Sequence, residues 1–402
     1  MENFIETIII IYNVKGGNIM YDSIVIGSGF AGSVIARELA ERGKEKVLVI
    51  EKRNHIAGNC YDEKEEHDIV IHKYGPHIFH TNSDRVYEYL SRFTEWYEYN
   101  HEVVANVNGQ YIPVPFNLNT LHMVYGEEMA NQLERKLIDT FGMGSRVPIL
   151  KLKEQEDEDL KAVAEYVYEH IFLRYTMKQW GQTPEEIDPE VTGRVPVLIS
   201  RDNRYFQDIY QGMPIAGYTK LIEEMLCYPG ISLLLGTEAK DILYLDNKMV
   251  FYQGKPFLGK VIFTGAIDEL FGCCYGRLPY RSLRFVKEYY PIDSYQEKAV
   301  VNYTMTEDFT RITEFKKLTG QEKGKGTVIM KEYPIAYTNS KLETPYYPIL
   351  NEEDFSLYEK YKKRAKEYRN FYLLGRLAEY KYYNIDTIVE RALTLADELI
   401  EK

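Results

Sequence analysis

The stretch from Ser23 to Glu51 constrains the fold more than any other part of the chain. Ser23-Ile24-Val25-Ile26 is a short apolar run with strand character. Gly27-Ser28-Gly29-Phe30-Ala31-Gly32 follows, and Val34, Ile35 and Leu39 then recur at helical spacing up to Arg42. Val47-Leu48-Val49-Ile50 reads as a second strand, ending at Glu51, 19 residues past Gly32. This order predicts a Rossmann-like unit. Its glycines let backbone N–H groups approach a pyrophosphate at a helix N-terminus, and Glu51 is placed for a ribose hydroxyl pair. A GxGxxG alone is a weak signal, but the strand, helix and acid around it point to an ADP moiety.

Two further stretches choose between dinucleotides. Lys52-Arg53-Asn54-His55-Ile56-Ala57-Gly58-Asn59 puts basic residues and a Gly-Asn turn directly after the acid. That resembles the glutathione-reductase-like FAD proteins, amine oxidases among them. Near the other end, Phe371-Tyr372-Leu373-Leu374 is an apolar strand running into Gly375-Arg376, and a helical pattern spans Ile385 to Leu399. FAD proteins of this kind close the flavin site with a late strand, a glycine and a helix N-terminus, whose dipole faces the flavin's electron-rich edge. The stretch GRLAEYKYYNID (375–386) is therefore expected at the isoalloxazine ring.

A net charge of −12 over 402 residues argues against general nucleic-acid binding. The 36 tyrosines offer flat faces with a hydroxyl at the tip, suited to bases and sugars. Cys60, Cys227, Cys273 and Cys274 form no CxxC pair, which fits a reduced, cytoplasmic location. No apolar run approaches the roughly 20 residues of a transmembrane helix, so no membrane insertion is expected. Residues 1–19 read as an extra N-terminal segment. Met20 opens the first strand naturally, and Lys15-Gly16-Gly17-Asn18 fits the coding of a ribosome-binding site, so translation is expected to start at Met20.

Between these ends the pattern predicts a helix over 84–93, a hairpin over 103–115 turning at Asn108-Gly109, and mostly helices over 119–180. Leu160, Val163, Ala164, Val167 and Ile171 form one apolar stripe. Pro184, Pro189, Gly193 and Pro196 suit a mobile lid over 182–196. A helix over 217–227, a buried strand over 260–264, and strands over 299–304, 311–315 and 327–331 complete the reading. The fold class is α/β: a discontinuous Rossmann-like FAD-binding domain (20–82, 214–270 and 352–402) with two inserts. One is helical (118–185, with the lid to 196). The other is an antiparallel sheet (97–117, 197–213 and 280–350).

HKYGPHIFHTN (72–82), PFNLNT (115–120), YTMKQWG (175–181), RYFQDIYQGMP (204–214), AGYTKLIE (216–223), YRSL (280–283), FTRITE (309–314), KEYP (331–334), PYYP (345–348) and GRLAEYKYY (375–383) occur in this order. Together they resemble the bacterial type of UDP-galactopyranose mutase, from about Met20 to the C-terminus. The resemblance implies an isomerase that interconverts UDP-galactopyranose and UDP-galactofuranose on FAD, which must be reduced although no net redox change occurs. It implies attack of the reduced flavin N5 on the anomeric carbon, with UDP leaving. It also implies an unidentified reductant, a homodimer and a supply of galactofuranose for cell-surface glycans.

The same resemblance assigns residues. Arg194 on the lid and Arg311 on a strand would clamp the diphosphate, and His77 would approach the flavin; these are the expected catalytic groups. Gly27, Gly29, Phe30, Gly32, Glu51, Lys52, Asn59, Arg281, Gly375 and Arg376 would hold FAD. Phe172 and Tyr175 would give uracil its platform, with Thr176 beside them and Trp180 lining the sugar site. Tyr205, Tyr347 and Tyr382 would bond the diphosphate, while His101, Arg376 and Asn384 would lie near the sugar. No metal is expected. Two departures stand out: Asn384 replaces a usual Asp, and Ala57 replaces the first glycine of a GGN turn. The competing readings are an amine-oxidase-like flavin oxidoreductase and a non-catalytic sugar-nucleotide-binding protein. The first explains the dinucleotide ends but not Arg194, Arg311 and the tyrosine set; the second would bind UDP-galactose yet form no product after dithionite reduction.

Overall fold

Five apolar segments line up as parallel strands. Ser23–Ile26 pairs with Val47–Ile50 on one side and Lys260–Phe263 on the other; Ile231–Leu234 and Phe371–Leu373 form the edges. Both faces of this sheet are covered, which is why its strands read as unbroken apolar runs. On one face lie helices Phe30–Glu41, Tyr218–Leu226 and Ile385–Ile400, which share one core through Val34, Ile35, Leu39, Leu221, Met225, Val389 and Ala392. On the other, a three-stranded meander (Leu243–Asp246, Met249–Tyr252, Lys255–Phe257) and helix Glu352–Ala365 bury Ile24, Leu48 and Val261 under Leu243, Val250, Tyr358 and Tyr361. These details come from a computed structural model that describes residues 20–185, 195–321, 326–338, 343–349 and 351–401. The segment 1–19 and most of the expected lid, including Arg194, lie outside the described residues.

A seven-stranded sheet stands beside this layer. Its order is Tyr347–Pro348, Tyr280–Tyr290, Thr327–Ala336, Arg311–Glu314, Val300–Tyr303, Val103–Val107 and Gln110–Val114. The register sets Arg311 opposite Glu332 and Arg281 opposite Tyr347. Of the segment 197–213, Leu198 and Arg204 form isolated bridges to Asn117 and Glu102 beside this sheet. Tyr210–Pro214 instead forms the middle of a separate sheet with Phe79–Thr81 and Trp96–Glu98. Gly212 explains the choice: Phe79 stacks on Trp96 at 4.5 Å, and a Cβ at Gly212 would come 2.9 Å from Tyr97 O. Val197–Leu198 pairs with Arg146–Val147.

Helices Leu118–Tyr125, Glu127–Phe141, Ile149–Lys153 and Glu158–Val167 pack over Val103, Ala105, Ile112 and Val114 of the sheet. All five residues of the predicted stripe are buried. The stripe is not one α-helix, however. Tyr168–Leu173 winds as a π-helix before the α-helix resumes at Arg174–Trp180. A π turn takes up more residues than an α turn and rotates whatever follows. The helix carrying Tyr175 and Trp180 is therefore out of phase with the one before it. Among the described residues no helix is long and apolar enough to cross a membrane.

Candidate active site

The glycines of the first turn have different tasks. A Cβ at Gly32 would lie 1.9 Å from Gly27 O, and one at Gly27 would meet Thr264 Oγ1 at 2.1 Å, so both are excluded by the protein itself. Gly29 has only Gly58 Cα nearby, at 3.7 Å. Gly29 caps the helix Phe30–Glu41 without a side chain, and the first intrahelical bond runs from Ser33 N to Gly29 O. The N–H groups of Phe30, Ala31 and Gly32 precede it and make no backbone hydrogen bond among the described residues, as an anion site requires. The Phe30 ring is spent in the core, edge-on to Tyr218 at 5.9 Å. Gly375 closes the far side at φ +105°, where a Cβ would stand 3.4 Å from Ala31 Cβ.

Glu51 is buried at the end of its strand. Its Oε2 accepts from Ser28 N and Ser28 Oγ, and its Oε1 accepts from Arg53 N, all at 2.9 Å. A carboxylate has about four lone-pair sites, so roughly one stays open for a ribose hydroxyl. The donor set therefore fits an adenine dinucleotide. Lys52 is exposed, whereas Arg53 is half-buried and turns inward. Arg53 Nη2 donates to Asn59 Oδ1 at 2.9 Å and its guanidinium lies 4.3 Å from the Tyr74 ring centroid, fixing the Gly58-Asn59 turn. Ala57 holds φ +69° ahead of that turn, a left-handed conformation that suits the replaced glycine better.

A second group gathers around Arg311. Its Nε donates to Glu332 Oε2 at 2.9 Å, and no hydrogen bond of its two Nη groups is found among the described residues. Burial opposes the charge most strongly, but Glu332 together with Tyr175 and Tyr347 outweighs it and holds the guanidinium well above its ordinary pKa. The Arg311 charge is felt at His77, His101, Tyr175 and Tyr347. Tyr347 stacks on Tyr382 at 5.7 Å with the rings 9° apart, and Trp180 lies 5.7 Å from Tyr347. The Arg376 guanidinium sits over both tyrosines, 4.6 Å from the Tyr382 centroid and 5.3 Å from that of Tyr347. It donates to Tyr346 O at 3.2 Å and Tyr383 O at 2.5 Å, which spends two of its five N–H donors. Tyr205 joins through its N–H to His101 O at 2.7 Å and ring contact with His101.

Protonation states follow from burial. It pushes the hydroxyls of Tyr175 and Tyr347 up, so both stay protonated and can donate. Burial takes His77 down to about 3, with help from His72 and Arg376. His77 Nδ1 faces Gly75 O at 2.8 Å, which requires the hydrogen on Nδ1. The neutral ring then keeps Nε2 as an acceptor. His101, also near 3 through burial, pairs Nδ1 with Tyr99 OH at 3.2 Å.

Several expected residues stand elsewhere. Arg281 Nε donates to Gln179 O at 2.9 Å and Nη2 to Lys178 O at 3.1 Å, so it grips the C-terminal end of the helix Arg174–Trp180. Phe172 and Thr176 are both buried, Phe172 in the helical core, while Tyr175 and Trp180 are tied to the cluster through Arg311 and Tyr347. Asn384 is the N-cap of the last helix, yet its side chain makes no capping bond. Two residues were missed. Glu332 lies within the quoted KEYP, but only strand register reveals that it faces Arg311. It is 1% exposed, with Oε1 unpartnered among the described residues. Arg53 was visible beside Lys52, but its contacts to Glu51, Asn59 and Tyr74 appear only in the folded chain.

The profile of UDP-galactopyranose mutase matches residues 170–382, and that of an NAD(P)-binding Rossmann-like domain matches 25–93. A probable UDP-galactopyranose mutase of Klebsiella pneumoniae is 37% identical over 379 residues, 94% of either chain. A dTDP-fucopyranose mutase of Escherichia coli is 38% identical over 381 residues, 94% of this chain and 98% of that one. The structure of a reduced UDP-galactopyranose mutase superposes with a TM-score of 0.68 at 16% identity, covering 95% and 94% of the two chains, and shares the fold. On the extent of these matches, this chain belongs to the UDP-galactopyranose mutase family.

Proposed function

We propose that this protein interconverts UDP-galactopyranose and UDP-galactofuranose with reduced FAD. The observation that carries the reading is the Arg311–Tyr347–Tyr382–Arg376 cluster, which faces Trp180 and Tyr175 on one helix and includes the Arg376 that follows Gly375. Bound through the Gly27–Gly32 turn, Glu51, the Gly58-Asn59 turn and Gly375, reduced FAD would supply the nucleophile for the anomeric carbon. The chain's part is to bind and stabilise. Arg311, kept charged by Glu332, offers Nη donors to a diphosphate whose negative charge grows as it leaves, and such donors are worth about 10²–10³ in rate. Tyr347 and Tyr382 add neutral hydroxyls, and Arg194 on the lid is proposed as the second cation. Neutral His77 offers an acceptor at Nε2 without adding a positive charge.

The 38% identity to a dTDP-fucopyranose mutase favours a second substrate for the same chemistry, a dTDP-linked 6-deoxy sugar. An amine-oxidase-like oxidation leaves the paired arginines and stacked tyrosines without a task. FAD rather than another flavin, an unidentified reductant, a homodimer and a cytoplasmic location remain parts of the proposal. The four free cysteines support a reducing compartment. The test is a panel of UDP-galactofuranose, dTDP-fucofuranose and buffer, each with protein under dithionite and resolved by chromatography. Conversion of the first supports the reading, conversion of the second alone moves it to the 6-deoxy sugar, and conversion of neither rejects it.

A further inference from the structure

The helix Arg174–Trp180 makes one contact that binding alone does not explain. Lys178 Nζ donates to three backbone carbonyls: Tyr303 O at 2.5 Å, Glu307 O at 3.1 Å and Phe309 O at 3.1 Å. An ammonium has three donors, so this site is saturated. The three carbonyls bracket the turn between strands Val300–Tyr303 and Arg311–Glu314: Tyr303 ends the first strand, and Glu307 and Phe309 lie in the turn. Three carbonyl dipoles aimed at one point repel one another unless a cation sits between them. The turn ends at Thr310, whose N and Oγ1 both donate to Glu332 O, and Arg311 follows directly. The Lys178 main chain is tied as well, since its carbonyl accepts from Arg281 Nη2, and Arg281 lies opposite Tyr347 across the strand pair.

One residue thus touches the supports of both groups in the cluster. Its side chain holds the turn before Arg311, and its carbonyl is held from the strand that pairs with Tyr347. We propose that Lys178 is a positioning residue, which keeps Tyr175 and Trp180 in register with Arg311 and Tyr347 so that one sugar nucleotide meets all four. This rests on the sugar-nucleotide reading given above. Burial lowers Lys178 to about 8, Glu307 and Asp308 pull it back up, and Arg174 pushes it further down. The anchor's charge is therefore present at neutral pH and lost as pH rises through about 8. An arginine at this position keeps its charge across that range.

The test uses holoprotein of the wild type, Lys178→Met and Lys178→Arg. Calorimetric titration with UDP gives Kd, dithionite assays give KM and kcat, the visible spectrum gives flavin content, and melting gives stability. The expected result for Lys178→Met is a Kd for UDP and a KM raised tenfold or more, kcat lowered less, and flavin content unchanged. Lys178→Arg recovers most of the affinity. Wild-type affinity falls between pH 7 and 9, and that fall is absent in Lys178→Arg. If Lys178→Met does not fold, the pH profiles decide, and a Lys178→Arg profile with the wild-type fall overturns the proposal. Equal UDP affinity of wild type and Lys178→Met overturns the anchor alone. A wild type that binds neither UDP nor, in the same titration, dTDP removes the sugar-nucleotide reading and the anchor with it.

Discussion

Replacing Arg311 with methionine is expected to damage the protein in two separable ways. Glu332 is 1% exposed and its Oε2 accepts from Arg311 Nε at 2.9 Å. Removing the cation leaves a buried carboxylate without a partner, which costs about 3–5 kcal/mol in comparable cases. The Arg311 side chain is 24% exposed, so the lower end, about 3 kcal/mol, applies here. The second loss is kinetic: about 2.7–4 kcal/mol of barrier, or roughly 10²–10³ in rate, if its Nη groups stabilise the leaving diphosphate. Adding Glu332→Leu separates the two. With both charges gone and apolar groups in their place, most of the lost stability should return, because well-packed replacements of buried pairs are often neutral. Turnover should stay down. The assay is urea unfolding followed by circular dichroism for wild type, both single variants and the double variant. Kinetics under dithionite run alongside, with flavin occupancy read from the visible spectrum. The double variant should be more stable than the two single losses added together by about 2 kcal/mol or more. Additive losses within about 0.5 kcal/mol would mean that the ion pair carries no coupling. A double variant with near-normal kcat and KM would mean that Arg311 does not grip the substrate.

Acid should unfold the protein early. His72, His77 and His101 are each lowered by burial to about 3, whereas an unfolded histidine takes up its proton near 6.5, so their contribution is intact above about 6.5 and drains as pH falls toward 3. Each contributes up to about 1.4 kcal/mol per pH unit in that window. The urea midpoint should drop steeply below pH 6, less so in His101→Gln, and a flat midpoint from pH 7 to 5 would contradict this. Asn384→Asp adds a negative charge at the N-terminus of the last helix, where the present side chain caps nothing. Melting should rise by the equivalent of about 0.3–1 kcal/mol and turnover should be kept; a loss of flavin would count against it. Ala57→Gly removes a left-handed alanine but frees the unfolded chain, so stability should stay within about 1 kcal/mol of wild type, checked by the same melts.

Much of the fold was legible because its elements carry local signals. Ser23–Ile26, Val47–Ile50 and Lys260–Phe263 are buried on both faces and show it as apolar runs. Asn108-Gly109 marks its hairpin. The last helix, Ile385–Ile400, has a clean period. Elements without such marks were missed. Ile231–Leu234 is a half-buried edge strand, the meander over 243–257 alternates weakly, and Glu352–Ala365 is richly charged. The π-helical Tyr168–Leu173 keeps its apolar residues in α-like spacing, so periodicity does not expose it.

Site residues divide in the same way. Glycines announce themselves because Gly32 is forced by backbone contact and Gly27 by its φ of +104° and the Thr264 side chain. The tyrosines and arginines of the Arg311 cluster were recognised through motif order, not through any local rule. The role of Glu332 depends on strand register, and the tasks of Lys178 and Arg281 depend on carbonyls supplied by distant segments. Sequence spacing carries no record of either.

An isomerisation of this kind consumes no reductant yet needs its flavin reduced. The most direct measurement mixes purified, yellow protein with UDP-galactofuranose, once as isolated and once after anaerobic reduction with dithionite, and follows UDP-galactopyranose by chromatography. The oxidised protein should give almost no product and the reduced one many turnovers per flavin if reduced flavin is the working form. Equal rates in the two states, or product limited to one equivalent of flavin, would contradict it.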